Sequence, residues 1–184
     1  MLPSTLTLEA SHALTTCTTL LSTLKSKDRK TFDSLLHPSG QICNARYQNP
    51  AQGKLLFHDF KTQFQSYLEN VFSSPSVFDE AIDDGRDTVV LVDGDIATVW
   101  TPYWFRIDGM LSHVGTNSFG LAKVVKVKEA GVDETGTGES GGELPTGGAE
   151  DGNWEWKIVV IHDTARKATA EEKDRLDAEY TEKK

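Results

Sequence analysis

The chain has 184 residues, of which 38% are hydrophobic and 26% charged, and its formal net charge is -9. This length is enough for one compact domain with its own core. The acidic balance argues against a nucleic-acid partner, because binding phosphate needs a basic surface, and it disfavours adsorption to an anionic membrane.

The cysteines, the histidines and the N-terminus carry no metal or targeting signature. Cys17 and Cys43 lack the paired spacing of a zinc site or a disulfide framework. The histidines show no HxH, HxxxH or HExxH spacing, and the glycines form no phosphate-binding loop, so we expect neither a metal nor a cofactor. The first residues lack a signal-peptide pattern, and no apolar run reaches the roughly 18 residues of a membrane span. The sequence therefore predicts a cytoplasmic protein.

The first third of the chain reads as three helices with one short strand. Apolar residues at helical spacing predict a first helix over 8–24. Asp28 is a good N-cap for a short second helix, which stops before Pro38. Alternation predicts a strand over 40–47, and the apolar repeat over 57–71 predicts a third helix of about five turns.

From residue 77 onward the pattern changes to strands. Two Asp-Gly pairs, at 93–94 and 108–109, are strong hairpin signals, and 83–86 reads as a turn or as a bulge inside one bent strand. Consecutive hairpins make an antiparallel sheet. The predicted strands are 77–82, 88–92, 95–107, 110–128 and 154–163.

Two segments depart from this regular pattern. Residues 129–153 hold eight glycines and seven acids with no base, so they predict a surface loop inserted into a hairpin, either a lid or a plain loop. The segment 167–184 is a charged C-terminal tail, either a solvated helix or frayed chain. We therefore expect a single domain over 1–166 followed by this tail.

The order of the elements indicates an α+β fold. Three helices with one apolar stripe each precede long antiparallel strands, and long strands of this kind curl. The sequence predicts a cone-shaped, curved antiparallel sheet wrapped around the three N-terminal helices, with a built-in cavity.

Four motifs carry a family resemblance. They are DGDxAxVWxPYxF at 93–105, DGxxSHxGxxxFxL at 108–121, WKI at 156–158 and TxR at 164–166. With them the chain resembles the nuclear transport factor 2-like (SnoaL-like) superfamily, most closely its small stand-alone members. The superfamily includes ketosteroid isomerases, scytalone dehydratase, limonene epoxide hydrolase and polyketide cyclases, and also non-catalytic binding and transport modules. The resemblance implies a cone with an open mouth, and often a homodimer formed through the outer face of the sheet.

Alternation along the strand over 110–128 places His113, Asn117 and Phe119 on one face, which we expect to line the cavity. A cavity histidine suits proton transfer, because its pKa moves easily across neutrality. Asn117 is a candidate to orient a ligand carbonyl or hydroxyl, and Phe119 to line its apolar wall. The alternative is that His113 only fixes the sheet through a hydrogen bond.

Both faces of the preceding strand are apolar. Tyr103 is a candidate hydrogen-bond donor on the cavity side, or else a core tyrosine. The opposite face, with Trp100 and Trp104, is the predicted dimer contact. Trp104 is also a candidate ligand-binding aromatic.

Two charged residues complete the candidates. Asp163, at the end of the last strand, is a possible partner of His113, or else a strand-end acid paired with Arg166 or with water. Arg46 on the first strand is a candidate for binding an anionic ligand, or else a surface residue.

Two functions fit these residues. One is a cofactor-free isomerase, dehydratase or cyclase acting on an apolar, polyketide- or terpenoid-like substrate by acid/base catalysis, with His113, Tyr103 and Asp163 as catalytic residues. The other is a non-catalytic module of the same fold that binds a ligand or a protein.

Overall fold

The structure is a computed structural model that describes residues 6–46, 55–60, 63–126 and 153–182. Within these ranges there are four helices and seven strands. The helices are α1 (Leu8–Ser26), α2 (Arg29–Leu35), α3 (Gln63–Ser73) and α4 (Ala170–Glu182). The strands are β1 (Leu36–Arg46), β2 (Leu55–Asp59), β3 (Phe78–Ile82), β4 (Val89–Asp93), β5 (Ile96–Ile107), β6 (Met110–Val125) and β7 (Trp154–Arg166).

The first two helices begin and end on residues suited to those positions. The Thr7 side chain accepts a hydrogen bond from the Ala10 N–H at the start of α1, and Lys27 ends the helix in the left-handed conformation, with φ of 58°. Asp28 accepts from the Thr31 N–H and caps α2, as predicted. β1 then starts directly at Leu36.

The third predicted helix is wrong in its first half. Residues 57–59 belong to β2, which pairs antiparallel with β1, and only the part from Gln63 onward is helical. The Phe60 N–H also donates to the Gly40 carbonyl, which continues the pairing. A short apolar run fits both helical and strand spacing, and the partner strand decides between them.

The strands form one sheet in the order β2-β1-β7-β6-β5-β3, and β4 also pairs with β5. β3 and β4 pair with opposite ends of β5, so they form one edge that is interrupted by the turn after Ile82. The pairs are antiparallel except β1 with β7, which run parallel. The sheet is curved, unclosed and wrapped around helices, which confirms the predicted α+β cone and adds one parallel pair to it.

Both predicted Asp-Gly turns are present. Gly94 has a φ of 56°, and Asp108 and Gly109 have φ values of 52° and 83°. These left-handed conformations match the twist of the flanking strands. They fix the registers of β4 with β5 and of β5 with β6, on which the site below depends.

One face of the sheet packs against α1 and holds the apolar core. We call this face, which carries Val99, Tyr103 and Phe119, the concave face. The opposite face, which carries Trp100 and Trp104, is the outer face. Burial alternates accordingly along β5, where Val99 is fully buried and Trp100 is 52% exposed.

The charged tail forms a helix that is not solvated all round. In α4 the side chain of Leu176 is buried, and the helix lies against the outer face of β5 through Tyr180 and Trp104. Among the described residues, no helix has the length and apolar character needed to cross a membrane. Except for Asn153, the predicted loop over 129–153 lies outside the described residues, as do 127–128 of the predicted fifth strand.

Candidate functional site

The concave face changes from apolar to polar along the strands. The apolar core contains two rows of directly opposed residues. One row contains Val99 and Phe119, and the next contains Ala97 and Leu121. The following row, toward the β5–β6 turn, is polar, because Thr101 lies opposite Asn117 and Asn117 lies opposite Asp163. Directly opposed residues share a face, so register alone brings these three together.

Asn117 is held by a carboxylate from the edge of the sheet. Its side chain is buried, and Nδ2 donates to Glu80 Oε1 at 2.8 Å. Glu80 lies on β3 opposite Phe105, which places it on the concave face. This hydrogen bond fixes the orientation of the Asn117 amide, because only its NH2 group can donate to the Glu80 oxygen.

Thr101 is also buried and satisfied. Its hydroxyl lies 3.1 Å from the Thr88 hydroxyl and donates to the Pro102 carbonyl at 3.1 Å. Thr88 sits just before β4, where the bent edge strand resumes. The Thr88 contact connects the polar row to the edge of the sheet formed by β3 and β4.

Tyr103 reaches across β6 to β7. Its hydroxyl donates to the Thr164 carbonyl oxygen at 2.9 Å. The strand between them carries Gly115, opposite both Tyr103 and Ala165. A Cβ at Gly115 would lie 1.7 Å from the Thr164 oxygen and 2.7 Å from the Tyr103 ring, so glycine is required for this crossing.

His113 packs among aromatic rings at the far end of the same face. Its ring stacks on Phe105 at 4.8 Å and meets Tyr103 edge-on at 5.9 Å. Nδ1 lies 3.1 Å from the Ser112 hydroxyl. His113 and Asn117 are four positions apart, which is about 13 Å along a strand, and Tyr103 lies between the two rows.

Asp163 occupies the β7 end of the polar row. It lies opposite Asn117 on one side and Asn44 on the other, and its Oδ1 is buried. In register it is two rows away from His113. The register therefore places Asp163 beside Asn117.

The residues on this face form what we call the polar cluster. Its members are Glu80, Thr101, Tyr103, His113, Asn117 and Asp163. The predicted residues outside it lie elsewhere. Phe119 is in the apolar core, and Trp104 is on the outer face beside Tyr180 of α4. Arg46 ends β1 opposite Ala165, and its side chain lies outside the described part of the structure.

Glu80 is the member that sequence reasoning missed. The segment 77–82 alternates, so Phe78, Glu80 and Ile82 share one face. An acid between two apolar residues on an inward face is the signal that could have identified it. Its pairing with Asn117 depends on β3 and β6 both flanking β5, which the sequence does not show.

Metal-dependent chemistry and nucleophilic catalysis by Cys17 find no support among the described residues. They contain no group of three or more His, Cys, Asp or Glu side chains that could hold a metal ion. Cys17 faces the core from α1, and burial raises the pKa of its thiol. A buried neutral thiol is a packing group and not a nucleophile.

The architecture recurs in solved structures. The chain is similar to an NTF2-like protein of unknown function from Shewanella baltica, with 12% identity and a TM-score of 0.51 over 90% of this chain and 100% of that one. The chain has the nuclear transport factor 2-like fold. This confirms, at the level of the fold, the resemblance drawn from the sequence motifs.

Other neighbours with the nuclear transport factor 2-like fold have different names. A protein proposed to be a scytalone dehydratase from Novosphingobium aromaticivorans is 10% identical, with a TM-score of 0.57 over 88% of this chain and 87% of that one. The CamKII hub homology domain of Chlamydomonas reinhardtii is 14% identical, with a TM-score of 0.50 over 86% and 99%. No protein family model matches the sequence, and no curated protein does. At these identities the likeness establishes the fold and leaves the activity to the site.

Proposed function

We propose that the polar cluster binds a small molecule with an apolar body and one carbonyl or hydroxyl group. The observation that carries this proposal is the Glu80–Asn117 hydrogen bond on the concave face. Asn117 is buried and Glu80 is half-buried, and removing an amide and part of a carboxylate from water is costly, whereas an apolar face of the same shape would fold without that cost. Polar groups retained at such a place are suited to recognising a ligand.

The chemistry that fits the cluster is proton transfer without a cofactor, as in an isomerase, a dehydratase or a cyclase. Glu80 accepts a proton from an acidic carbon or hydroxyl, while Asn117 holds its carboxylate in place. His113, beyond Tyr103, donates its own proton to another atom of the same substrate, and exchange with water afterwards removes the proton from Glu80 and restores the one on His113. The Tyr103 hydroxyl orients the substrate oxygen, and Asp163 provides a second carboxylate. The scytalone dehydratase assignment of one neighbour supports a dehydratase within this fold.

Binding is tested with an apolar ketone, 2-tetralone, as the probe. We expect saturable NMR shifts of the Asn117 side-chain amide and of the His113 ring, with the signals of Leu91 and Ile96 on the outer face unchanged. Shifts confined to Leu91 and Ile96 would place the ligand on the wrong face. Binding without turnover would favour the alternative of a non-catalytic binding module.

A second function is favoured by one specific feature of the outer face. Four apolar side chains of β4 and β5 are exposed together, namely Val89 (46%), Leu91 (64%), Ile96 (62%) and Trp100 (52%). Val89 lies directly opposite Trp100, so they form a continuous surface that we call the β4–β5 patch. Such a patch is typical of a protein interface. We infer a homodimer through this patch, and sedimentation that reports only monomers at millimolar concentration would refute it.

A further inference from the structure

The carboxylate of Glu80 is carried by a short strand at the edge of the sheet. β3 has five residues, and β5 is its one neighbouring strand in the described part of the chain. Backbone hydrogen bonds hold an edge strand on one side only, so it resists movement less than a central strand does. The position of Glu80 therefore depends on the other contacts that hold β3.

The Glu80 side chain leans toward the connection 83–88, which joins β3 to β4. Glu80 lies opposite Phe105, whereas Asn117 lies opposite Thr101, two rows further along β5. Because β3 and β5 are antiparallel, the direction from Phe105 to Thr101 is the direction from Glu80 toward this connection. The Glu80 Oε1 reaches Asn117 in that direction. The connection 83–88 is therefore next to the row in which the carboxylate binds.

Two buried acids hold the opposite side of this edge. Side chains alternate along a strand, so Asp79 in β3 and Asp83 directly after it lie on the side away from Glu80. They are 6% and 3% exposed. Asp79 lies opposite Arg106 and accepts a hydrogen bond from Lys25 of α1 at 2.6 Å. The two acids flank Glu80 in the sequence, so their ionic contacts fix the backbone on both sides of it.

The contact at Asp83 is the more extensive of the two. Both Asp83 oxygens accept from the Arg175 guanidinium of α4, at 2.8 and 2.7 Å. Asp83 Oδ1 also accepts from the Gly85 N–H at 3.1 Å, and the Asp83 N–H donates to the Pro102 carbonyl of β5 at 2.9 Å. A two-pronged pair of guanidinium and carboxylate fixes direction as well as distance. Arg175 therefore fixes the carboxylate around which the start of the connection 83–88 is built.

Helix α4 is attached to the sheet independently of this pair. Arg106 of β5 is 2% exposed and donates to the Leu176 carbonyl and to Asp177 Oδ1, both at 2.9 Å. The Leu176 side chain is buried. Glu179, one turn further along α4, accepts from Arg175 at 3.0 Å and orients its guanidinium. Arg175 thus connects the end of β3 to a helix that is itself bound to β5.

We propose that Arg175, acting through Asp83, is a positioning residue that directs the Glu80 carboxylate toward Asn117. A buried carboxylate needs a paired charge, so loss of the Arg175 guanidinium makes the connection 83–88 rearrange to bring Asp83 to water. The end of β3 that faces Asn117 then moves with it. The inference rests on the proposed function for its effect on catalysis. Its structural part concerns the Glu80–Asn117 hydrogen bond alone.

The test compares Arg175→Gln with Arg86→Gln in the full chain. Arg86 lies in the connection 83–88 and its side chain is exposed, so this control makes the same change of charge near Glu80 and leaves the Asp83 pair in place. One readout is the NMR signal of the Asn117 side-chain amide, for which Glu80→Ala gives the position without the hydrogen bond. The other is the kinetics of α-hydrogen exchange of 2-tetralone in D2O.

In Arg175→Gln we expect the Asn117 amide signal to move toward its position in Glu80→Ala. We also expect kcat for exchange to fall roughly tenfold while KM stays within about twofold, because a misplaced base slows the chemical step more than it weakens binding. Arg175→Lys keeps the charge but cannot form the two-pronged pair, so its values should be intermediate. Arg86→Gln should match the unmodified protein in both readouts.

The outcomes separate this inference from the proposed function. An unchanged Asn117 amide signal in folded Arg175→Gln refutes the inference, whatever the exchange rate. If the signal moves but the unmodified protein exchanges no hydrogen, the positioning of Glu80 is supported and the proposed proton transfer is refuted. Equal changes in Arg86→Gln would show a general effect of charge and also refute the inference. If Arg175→Gln does not fold, Arg175→Lys decides by the same criteria.

Discussion

Gly115 is the residue on which the position of Tyr103 depends. It lies between β5 and β7, and any side chain there would meet the Thr164 carbonyl oxygen at 1.7 Å. The Tyr103 ring crosses this gap to donate to the same oxygen. One glycine thus allows a tyrosine from β5 to be tied to β7 on the concave face.

Gly115→Ala should therefore destabilise the fold by about 3 kcal/mol, because overpacking against backbone has no room to relax. The measurement is the free energy of unfolding from urea denaturation. Gly94→Ala is the matched control. Gly94 has a left-handed φ of 56°, but apart from its own atoms and its two chain neighbours no atom lies within 4 Å of the position that an alanine methyl group would take, so only backbone strain of about 1 kcal/mol is expected there. Equal losses in the two variants would contradict this account of Gly115.

The faces of individual residues were predictable from the sequence where strands are long and regular. Period-two alternation put His113 and Asn117 on one face of their strand and put Tyr103 and Trp104 on opposite faces of theirs, and the structure agrees. The partners were not predictable. Asp163 lies opposite Asn117, and Glu80 reaches Asn117 from an edge strand. Alternation along a strand shows which face a side chain is on, but its neighbours on the adjacent strands depend on the register of pairing.

Helix α4 is the element whose structure departs furthest from its composition. Its N-terminus is a capping box, in which the Glu172 N–H donates to the Thr169 hydroxyl and the Thr169 N–H donates to the Glu172 carboxylate. Arg166, the last residue of β7, donates to both oxygens of Glu172. The box and Arg166 start the helix where β7 ends.

These contacts make α4 sensitive to acid. The Arg166 hydrogen bonds, with those from Thr169, lower the pKa of Glu172 from its usual 4.5 to about 2. Because the pKa of Glu172 is lower in the folded protein than in the unfolded chain, its contribution to the stability of α4 is complete above about pH 4.5 and is lost as pH falls toward 2. We expect hydrogen-exchange protection of 170–182, after correction for intrinsic rates, to fall across that window. In Glu172→Gln this pH-dependent loss of protection should be absent. A dependence of protection on pH that is unchanged in the variant would contradict the role of Glu172.

Element boundaries show where sequence reasoning succeeds and fails. Caps and Asp-Gly turns are local, so Asp28 and both hairpins were predicted correctly. Most of β2 was wrongly predicted as helix, because its strand character comes from pairing with β1, a contact that is not local. The contacts of α4 were also missed, because Arg106 and Asp83 bind it from distant parts of the chain.

At the scale of the whole molecule, the curved sheet presents two surfaces with different chemistry. The concave face holds the apolar core and the polar cluster, and the outer face holds α4 and the β4–β5 patch. The general architecture was predictable, because the order of helices and strands leaves few ways to bury their apolar faces. The division of the outer face between α4 and a bare patch was not, because it depends on how the tail docks.

The net charge of -9 gives self-association a definite dependence on salt. Raising the ionic strength from 0.1 to 1 M shortens the Debye length from about 10 to about 3 Å, which screens the repulsion between two acidic copies. The dimer Kd measured by sedimentation should therefore fall as salt rises. An interface held by ion pairs between the copies would behave in the opposite way, and a Kd that rises with salt would contradict contact through the uncharged patch.

The central claim is that Glu80 and its neighbours on the concave face move a proton on a bound small molecule. The most direct test is exchange of the α-hydrogens of 2-tetralone in D2O, followed by proton NMR. We predict exchange faster than in buffer, and a loss of about 100-fold in the protein-catalysed rate for Glu80→Gln, which is typical of a general base. Glu171→Gln, the same change at an exposed position of α4, should leave the rate unchanged. Equal rates for the unmodified protein and Glu80→Gln would contradict the claim.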